Sequence, residues 1–276
     1  MAVVNVNSWT EFLEAAAVSG DTVVCPENAV WDLAELEPEG HNAKIVIRAN
    51  VDGKGTQIKN LVIESGLTST NDAAFEFRGT SSSSKIEIND LHFLNGNVIG
   101  GTSGGFAIAQ YTDLVKCTFS SMVHGTNYGF YYGSGKTLYR CALNLEFATA
   151  NGFTFIGDGA EVEFLNAKIS GSNVQGCILN ASTGGTAGKI KNSYIILDTP
   201  QATTLTCNNA EWSVVRCNGA NITSLASFTK ANFCLGVDSD FPNVTTVGNG
   251  IKLVSENNLR DAGYLQSIGF PIGVDG

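Results

Sequence analysis

Between residues 105 and 217, short apolar runs alternate with polar residues, and the whole pattern recurs. A glycine followed by an apolar residue or cysteine appears at Gly105-Phe106, Gly129-Phe130, Gly152-Phe153 and Gly176-Cys177, at intervals of 24, 23 and 24 residues. A second series keeps nearly the same step and consists of Asn60, Asp90, Cys117, Cys141, Asn166, Asn192 and Cys217. Two series with one period indicate a repeat architecture.

The repeated unit predicts short strands. Runs such as Phe153–Ile156 and Lys189–Lys191 are bounded by Gly, Asn, Ser and Thr and show no helical period. One such unit cannot bury its apolar face alone, whereas copies stacked about 4.8 Å apart pair their strands and merge their apolar faces. The predicted inner stack is Phe75, Phe106, Phe130, Phe153, Cys177 and Leu205. The Asn/Asp/Cys series is predicted to lie at a turn, where Asn and Asp tolerate left-handed backbone.

On these two series the chain resembles the right-handed β-helix superfamily, which includes pectate lyases, polygalacturonases and phage tailspikes. The resemblance covers residues 43–235. It implies an all-β fold, a single-stranded right-handed parallel β-helix with about seven or eight coils of about 25 residues. It implies little about function, because this architecture serves enzymes and inert shafts alike.

The segments on either side of the repeats predict caps. Ser8–Glu11 is a capping-box pattern followed by apolar residues on one helical face, so a helix is expected to cover the first coil, with a strand at Thr22–Cys25. Asp52–Gly55 resembles a turn of early coils in pectinase-like chains. The predicted divisions are an N-terminal cap (1–42), a β-helix (43–235) and a C-terminal cap with a docking tail (236–276).

The C-terminal segment carries a second resemblance. Ser255 is predicted to cap a short helix that ends at Gly269. The sequence Leu259–Ile272 resembles the C-termini of small tailed-phage structural proteins. It is interpreted either as a plug on the open end of the stack or as an assembly tail, and the two roles are compatible. The assembly tail would comprise Phe270, Pro271 and Ile272, which are hard to bury at a chain end.

Charge and cysteine content narrow the function classes. The net charge is -10, with 16 Lys plus Arg against 26 Asp plus Glu, which disfavours a general nucleic-acid binder. Seven cysteines without Cys-x-x-Cys spacing predict free core thiols, with no metal and no cofactor. The start lacks signal-peptide features, and no apolar run approaches the roughly 20 residues of a membrane span. We therefore expect assembly in a host cytoplasm and no membrane span.

Candidate chemistry is sparse. With the units aligned on the Asn/Asp/Cys series, no carboxylates share an offset in consecutive coils between 90 and 217, and Glu161 and Glu163 face Lys136 and Lys189 as ion-pair rungs. The weak catalytic candidates are Asp158, Glu161 and Glu163. A basic row just before the series members is either a solvated edge or a ladder for an anionic glycan or an acidic neighbour; it comprises Lys59, Lys116, Arg140, Lys191 and Arg216. An aromatic patch that could stack on sugars contains Tyr128, Tyr131 and Tyr132.

These observations predict a non-enzymatic structural or attachment module of a bacteriophage virion, such as a tail, fibre or head-decoration subunit. The expected partners are other virion proteins, further copies of the chain (a trimer, for example) and a host surface polysaccharide, with no nucleic acid. The first alternative is a polysaccharide lyase or glycoside hydrolase of the pectate-lyase-like superfamily. A third is a bacterial surface adhesin.

Overall fold

Parallel β-sheet makes up most of the protein. The computed structural model describes residues 2–64, 73–99, 105–124, 130–132, 136–148, 152–154, 160–180, 189–207, 209–218, 220–229 and 234–271. The strand pairings within these ranges are parallel, and each repeat unit pairs with the unit that follows it in the chain. The expectation of an all-β, parallel repeat architecture is confirmed at this level.

The largest sheet in the described residues has 18 strands. Its strands are β1 (Val3–Asn5), β2 (Thr22–Val24), β3 (Val30–Asp32), β5 (Asn50–Lys59), β6 (Val62–Ile63), β8 (Ile86–Val98), β10 (Thr112–Val115), β11 (Thr118–Val123), β13 (Lys136–Tyr139), β14 (Ala142–Phe147), β16 (Ala160–Glu163), β17 (Asn166–Ser170), β19 (Lys189–Lys191), β20 (Tyr194–Asp198), β22 (Ala210–Glu211), β23 (Val214–Cys217), β25 (Cys234–Val237) and β27 (Ile251–Val254).

Smaller sheets and short helices complete the described structure. One sheet contains β4 (Ile45–Ile47), β7 (Ala73–Arg78), β9 (Gly105–Gln110) and β12 (Phe130–Tyr132), a second contains β15 (Gly152–Thr154), β18 (Gly176–Asn180) and β21 (Thr204–Cys207), and a third pairs β24 (Ser224–Leu225) with β26 (Thr246–Val247). The helices are α1 (Trp9–Ala16), α2 (Leu33–Leu36), α3 (Glu256–Leu259) and α4 (Ala262–Ser267), with a 3-10 turn at Asp238–Asp240.

Each central repeat contributes three strands in a fixed order, illustrated by β9, β10 and β11. We call the strands equivalent to β10 the first arm (β10, β13, β16, β19, β22) and those equivalent to β11 the second arm (β11, β14, β17, β20, β23). Both arms belong to the large sheet, and two residues lie between them in each repeat, the first of which we call the corner residue. Within each arm, alternate residues face the core and the residues between them face outward.

In-register apolar columns form the core. The first arm stacks Ile88, Leu114, Leu138, Val162, Ile190 and Ala210, all buried. The second arm stacks Phe93, Phe119, Leu143, Ala167, Ile195 and Val215, also buried. These columns belong to one continuous apolar cluster that runs through the repeats.

The predicted inner stack is correct in part. Phe153, Cys177 and Leu205 are paired in register. Phe75 and Phe130, however, both pair with Ala107, so Phe106 lies one position out of the column. Phe106 is nevertheless buried, with its ring centroid 5.2 Å from that of Phe75. Nothing beyond strand pairing is described for Phe130 and Phe153.

The corner between the arms is built on left-handed backbone. At this corner, one residue per repeat has φ between 49° and 55°: Asp90, Lys116, Arg140, Phe164, Asn192 and Trp212. Its N–H bonds to the next repeat, as in Lys116 N to Tyr139 O (2.9 Å) and Arg140 N to Glu163 O (3.1 Å). The sheet hydrogen bonds therefore continue through the corner.

The residue after each corner is buried and usually carries a small donor. Cys117 and Cys141 each donate through Sγ to the carbonyl two residues earlier, at 3.4 and 3.5 Å. Ser193 and Ser213 make the same bond through Oγ, at 2.6 and 2.9 Å. Cysteine and serine thus play one local role, which explains why polar types occur in a buried column.

The sequence predicted that the Asn/Asp/Cys series forms a single column at a turn, and this prediction is wrong. Asp90 and Asn192 are corner residues, whereas Cys117 and Cys141 each lie one position later. Asn166 pairs with Ala142 and Tyr194, and Cys217 pairs with Leu197 well inside the second arm. The spacing between successive corner residues varies from 20 to 28, so alignment by residue type mixed three structural positions.

The N-terminal helix is confirmed. Ser8 Oγ accepts from Glu11 N (3.3 Å), while the Glu11 carboxylate accepts from Asn7 N (2.7 Å). Trp9 and Phe12 face inward against Trp31, and the helix joins the main core at the first repeat. The helix therefore covers the apolar interior of the first repeat.

The turn expected at Asp52–Gly55 lies within β5. Lys54 and Gly55 have positive φ, and the register with β8 shifts between Asp52 and Thr56. A Cβ at Gly53 would meet Asp90 O at 2.4 Å, so this position requires glycine.

The C-terminal segment packs on the outer side of the last strands. Parallel pairing continues beyond residue 235 through β25 and β27. Two short helices follow where one was predicted, capped by Ser255 and Asp261. Phe270 is only 8% exposed and packs with Leu235, Val254 and Leu265, its ring 6.0 Å from Trp212. The expectation that Phe270 is hard to bury in its own chain is wrong; Pro271 is half-buried and Ile272 lies outside the described residues.

The aromatic cluster yields a stability prediction. Phe119 is 1% exposed and packs against Phe75, Phe77, Phe93 and Phe106. Phe119→Ala should lower the free energy of unfolding by about 3–5 kcal/mol in urea denaturation, because it leaves a cavity among four rings. On the same strand, Met122 is 38% exposed, and Met122→Ala should change stability by about 0.5 kcal/mol or less. Equal effects of the two substitutions would contradict the assigned faces.

The thiols give a second prediction. All seven cysteines are free and buried, as expected from the sequence. Burial raises the pKa of the Cys25, Cys207 and Cys217 thiols to about 12 and that of Cys177 to about 11. At pH 8 the native protein should react slowly with a disulfide reagent, while the urea-unfolded chain should expose seven fast thiols. Rapid labelling of the native protein would overturn the core assignment.

Candidate ligand-binding trough

The outer face of the second arm forms a shallow trough. Its side chains come from alternate residues of β11, β14, β17, β20 and β23, because the other residues face the core. The central column is Ser120, Asn144, Lys168, Ile196 and Arg216. The column toward the corner is Thr118, Ala142, Asn166, Tyr194 and Val214, and the far column contains Met122, Glu146, Ser170 and Asp198.

Two hollows lie along this face and meet at Lys168. The first, of about 280 Å³, is lined by Asn95, Ser120, Asn144, Glu146 and Ser170. The second, of about 550 Å³, is lined by Tyr194, Asp198, Arg216, Asn218 and Asp240. Together they make an elongated open groove, in contrast to the closed apolar pockets that hold small hydrophobic ligands; the smaller hollow is lined mainly by polar atoms and the larger by polar and apolar atoms together.

Lys168 is the cation that this groove offers to a ligand. Its side chain is exposed, and it makes no ion pair or hydrogen bond with another residue in the described part of the chain. Tyr194, on the next strand, is 38% exposed, so part of its ring is open to solvent. Within two repeats, Lys168 supplies hydrogen-bond donors, Asp198 supplies an acceptor and the Tyr194 ring supplies a flat apolar surface.

Arg216 serves as a clamp. Its Nε and Nη2 donate to Asp240 (2.6 and 3.2 Å), and Nη2 also meets Glu256 Oε2 at 3.0 Å. Asp240 accepts in addition from Cys217 N (3.1 Å). The hydrogen bond to Asp240 raises the pKa of the guanidinium above its ordinary value. The clamp ties the 3-10 turn and α3 to β23 and so shapes one end of the trough.

The predicted basic row does not form a continuous ladder. Lys116 and Arg140 are adjacent corner residues. Lys191 lies on the first arm between Glu163 and Glu211. Two other members stand apart: Lys59 pairs with Asp32 and Leu94, and Arg216 pairs with Ile196. The row joins residues from different faces because the series from which it is counted mixes three structural positions.

The predicted acidic candidates lie outside the trough. Glu161 pairs in register with Thr137 and Lys189, and Glu163 with Tyr139 and Lys191. The predicted partners Lys136 and Lys189 were therefore wrong by one or two positions. Glu163 also accepts from Asn192 Nδ2 (3.1 Å), which supports a structural role on the first arm. Asp158 is outside the described residues.

The predicted tyrosine patch is described only in part. Tyr131 and Tyr132 belong to β12, and nothing beyond their strand pairing is described. Tyr128 lies outside the described residues. The exposed tyrosine of the trough, Tyr194, was not among the predicted residues.

Sequence reasoning missed Lys168, Tyr194, Asp198 and Glu146. The signal that could have found them is period two counted from the corner: outward positions occur two, four and six residues after each left-handed residue. Using that signal requires the corner positions, which residue type does not reveal.

Searches with models of protein families, among curated proteins and among solved structures found nothing that matches this chain. None of the described helices has the length and apolar character needed to cross a bilayer. The assignment of function therefore depends on the site itself.

Proposed function

We propose that the repeats wind into a right-handed parallel β-helix and that the protein is a non-enzymatic attachment module whose trough holds a host surface polysaccharide. The proposed setting is a bacteriophage virion, in which the module would be a tail, fibre or head-decoration subunit. Its partners would be neighbouring virion proteins and further copies of the chain.

The observation that carries the proposal is the trough built on a rigid face. Its central column is contributed by five consecutive second-arm strands. An extended, open, polar groove suits a chain-like hydrophilic ligand better than a compact one. Lys168 and the Asn144 amide can hydrogen-bond to hydroxyl groups, and the exposed Tyr194 ring can lie against a sugar ring. Because the strands are fixed by the core columns, little ordering accompanies binding.

The virion setting rests on the similarity of Leu259–Ile272 to C-termini of phage structural proteins. The burial of Phe270 against the large sheet favours a structural cover for this segment over a free docking peptide. An assembly role for the segment would therefore use its exposed surface, including Arg260 at 77% side-chain exposure.

Binding to immobilised polysaccharides tests the proposal. A panel of purified capsular and O-antigen polysaccharides should contain at least one member that the protein binds. Lys168→Ala and Tyr194→Ala should each weaken that binding about tenfold, the equivalent of about 1.4 kcal/mol. Lys191→Ala is the matched control: it removes the same charge on the first arm and should change binding less than about twofold. Absence of binding to every panel member, or equal binding by the two trough variants and wild type, would contradict the proposal.

A second candidate function is glycoside hydrolysis, and a specific observation favours it. Glu146 and Asp198 occupy one outward column with Ser170 between them, two repeats apart. Two strand spacings of about 4.8 Å place their backbones about 9.6 Å apart. This backbone spacing is close to the upper end of the about 6.5–9.5 Å that separates the carboxyl groups of inverting glycosidases.

Product release separates the two functions. For an attachment module, we expect no reducing ends from any polysaccharide that binds, and Glu146→Gln and Asp198→Asn should leave this result unchanged. Release of reducing ends that either substitution abolishes would replace attachment by hydrolysis as the function of the trough.

A further inference from the structure

Charge is segregated along the chain to an unusual degree. Residues 1–42 contain eight of the 26 acidic residues and none of the 16 lysines and arginines. Five of these carboxylates are on exposed residues: Glu11, Glu14, Glu27, Glu35 and Glu39. The same segment holds four strongly exposed apolar side chains: Val3, Val18, Val30 and Leu36. We call this surface the acidic cap.

A surface of opposite charge lies at the corner between the two arms. Lys116 and Arg140 are consecutive corner residues, both exposed, and neither makes an ion pair in the described part of the structure. The Arg140 guanidinium carbon lies 5.4 Å from the Tyr139 ring and 5.8 Å from the Phe164 ring. We call Lys116, Tyr139, Arg140 and Phe164 the cationic ridge.

The ridge residues occupy strained positions. Lys116, Arg140 and Phe164 have φ of 55°, 53° and 54°, a left-handed backbone that is unfavourable for a non-glycine residue. Asn tolerates this geometry well, and Asn192 holds the equivalent corner two repeats after Arg140. Lys, Arg and Phe therefore occupy ridge positions at which Asn would cost less folding free energy. Strain of this kind points to a function of the displayed side chains.

We propose that the acidic cap of one copy docks on the cationic ridge of a second copy. Carboxylates of the cap would pair with Lys116 and Arg140, and the aliphatic side chains would pack on the exposed parts of Tyr139 and Phe164. Two different surfaces meet in such a contact, so it is heterologous and can propagate into a ring or an open chain of copies.

Charge complementarity selects this occupant. The two halves of the contact are present on every copy: one comes from a segment that contains no Lys or Arg, and the other carries two cations without an ion pair in the described residues. Contact between two caps would oppose five exposed carboxylates with five more, which complementarity disfavours. Docking also covers apolar side chains that face water in the isolated chain.

Sedimentation velocity on the full chain tests the contact. Wild type should show a mass that rises with concentration at about 20 mM salt, and the association should weaken at least tenfold at about 300 mM, because screening shortens the range of the charges. Lys116→Glu/Arg140→Glu (ridge-reversed) and Glu14→Lys/Glu35→Lys (cap-reversed) should each sediment as monomers. Glu11 is left intact because it caps α1.

A mixture of the two charge-reversed variants gives the decisive result. An equimolar mixture of the ridge-reversed and cap-reversed chains should associate again, since each supplies a surface opposite to one on the other. Arg78→Glu is the single-site control, because it reverses another exposed arginine that belongs to neither surface. It should leave association within about twofold of wild type.

Stability measurements separate a loss of association from a loss of folding. Arg140→Asn should weaken association while raising the melting temperature slightly, because it removes the strained side chain and keeps the left-handed turn. A wild type that stays monomeric at low salt, or a mixture of reversed chains that fails to associate, would overturn the proposal. A monomeric protein whose polysaccharide binding depends on Lys116 and Arg140 would instead assign the ridge to the glycan.

Discussion

The structure depends on one left-handed residue at the same place in each central repeat. Its N–H bonds to a carbonyl of the next repeat, so the sheet continues through the bend between the arms. Because that bond involves only the backbone, the side chain at the corner is free to vary, from Asp90 to Trp212. What the corner does restrict is the following residue, which is buried and, in four repeats, uses a Cys or Ser donor to satisfy a nearby carbonyl.

The repeat period, the strand class, the N-terminal helix and the free core thiols could be predicted because each depends on local pattern. Register could not be predicted, because the side-chain period in a strand is two and a slip of one residue exchanges the faces. Phe106 and Ala107 show the effect: the larger residue was assigned to the column, yet Ala107 is the one that pairs with Phe75. The same slip combined Lys191 and Arg216 into one row, although they lie on different arms.

The trough shows why candidate sites are harder to predict than strands. Arg216 carries the same charge as Lys168, but Asp240, 24 residues later in the chain, accepts hydrogen bonds from Nε and Nη2 of its guanidinium. Only the packing of the C-terminal segment on β23 makes one cation a clamp and leaves the other open to a ligand. Composition identifies the available groups, whereas tertiary contacts decide which of them remain unpaired.

The trough and the docking surfaces differ in what their side chains cost the fold in stability. Trough side chains project from ordinary strand positions, so evolution can change them with little effect on stability. Ridge side chains occupy left-handed positions, and the acidic cap concentrates carboxylates whose mutual repulsion raises the energy of the isolated chain. Both costs fall on the free protein, and docking would relieve the repulsion by bringing cations to the cap. In the proposed assembly, the contact between copies uses the strained and like-charged positions, whereas ligand binding uses trough positions that carry neither cost.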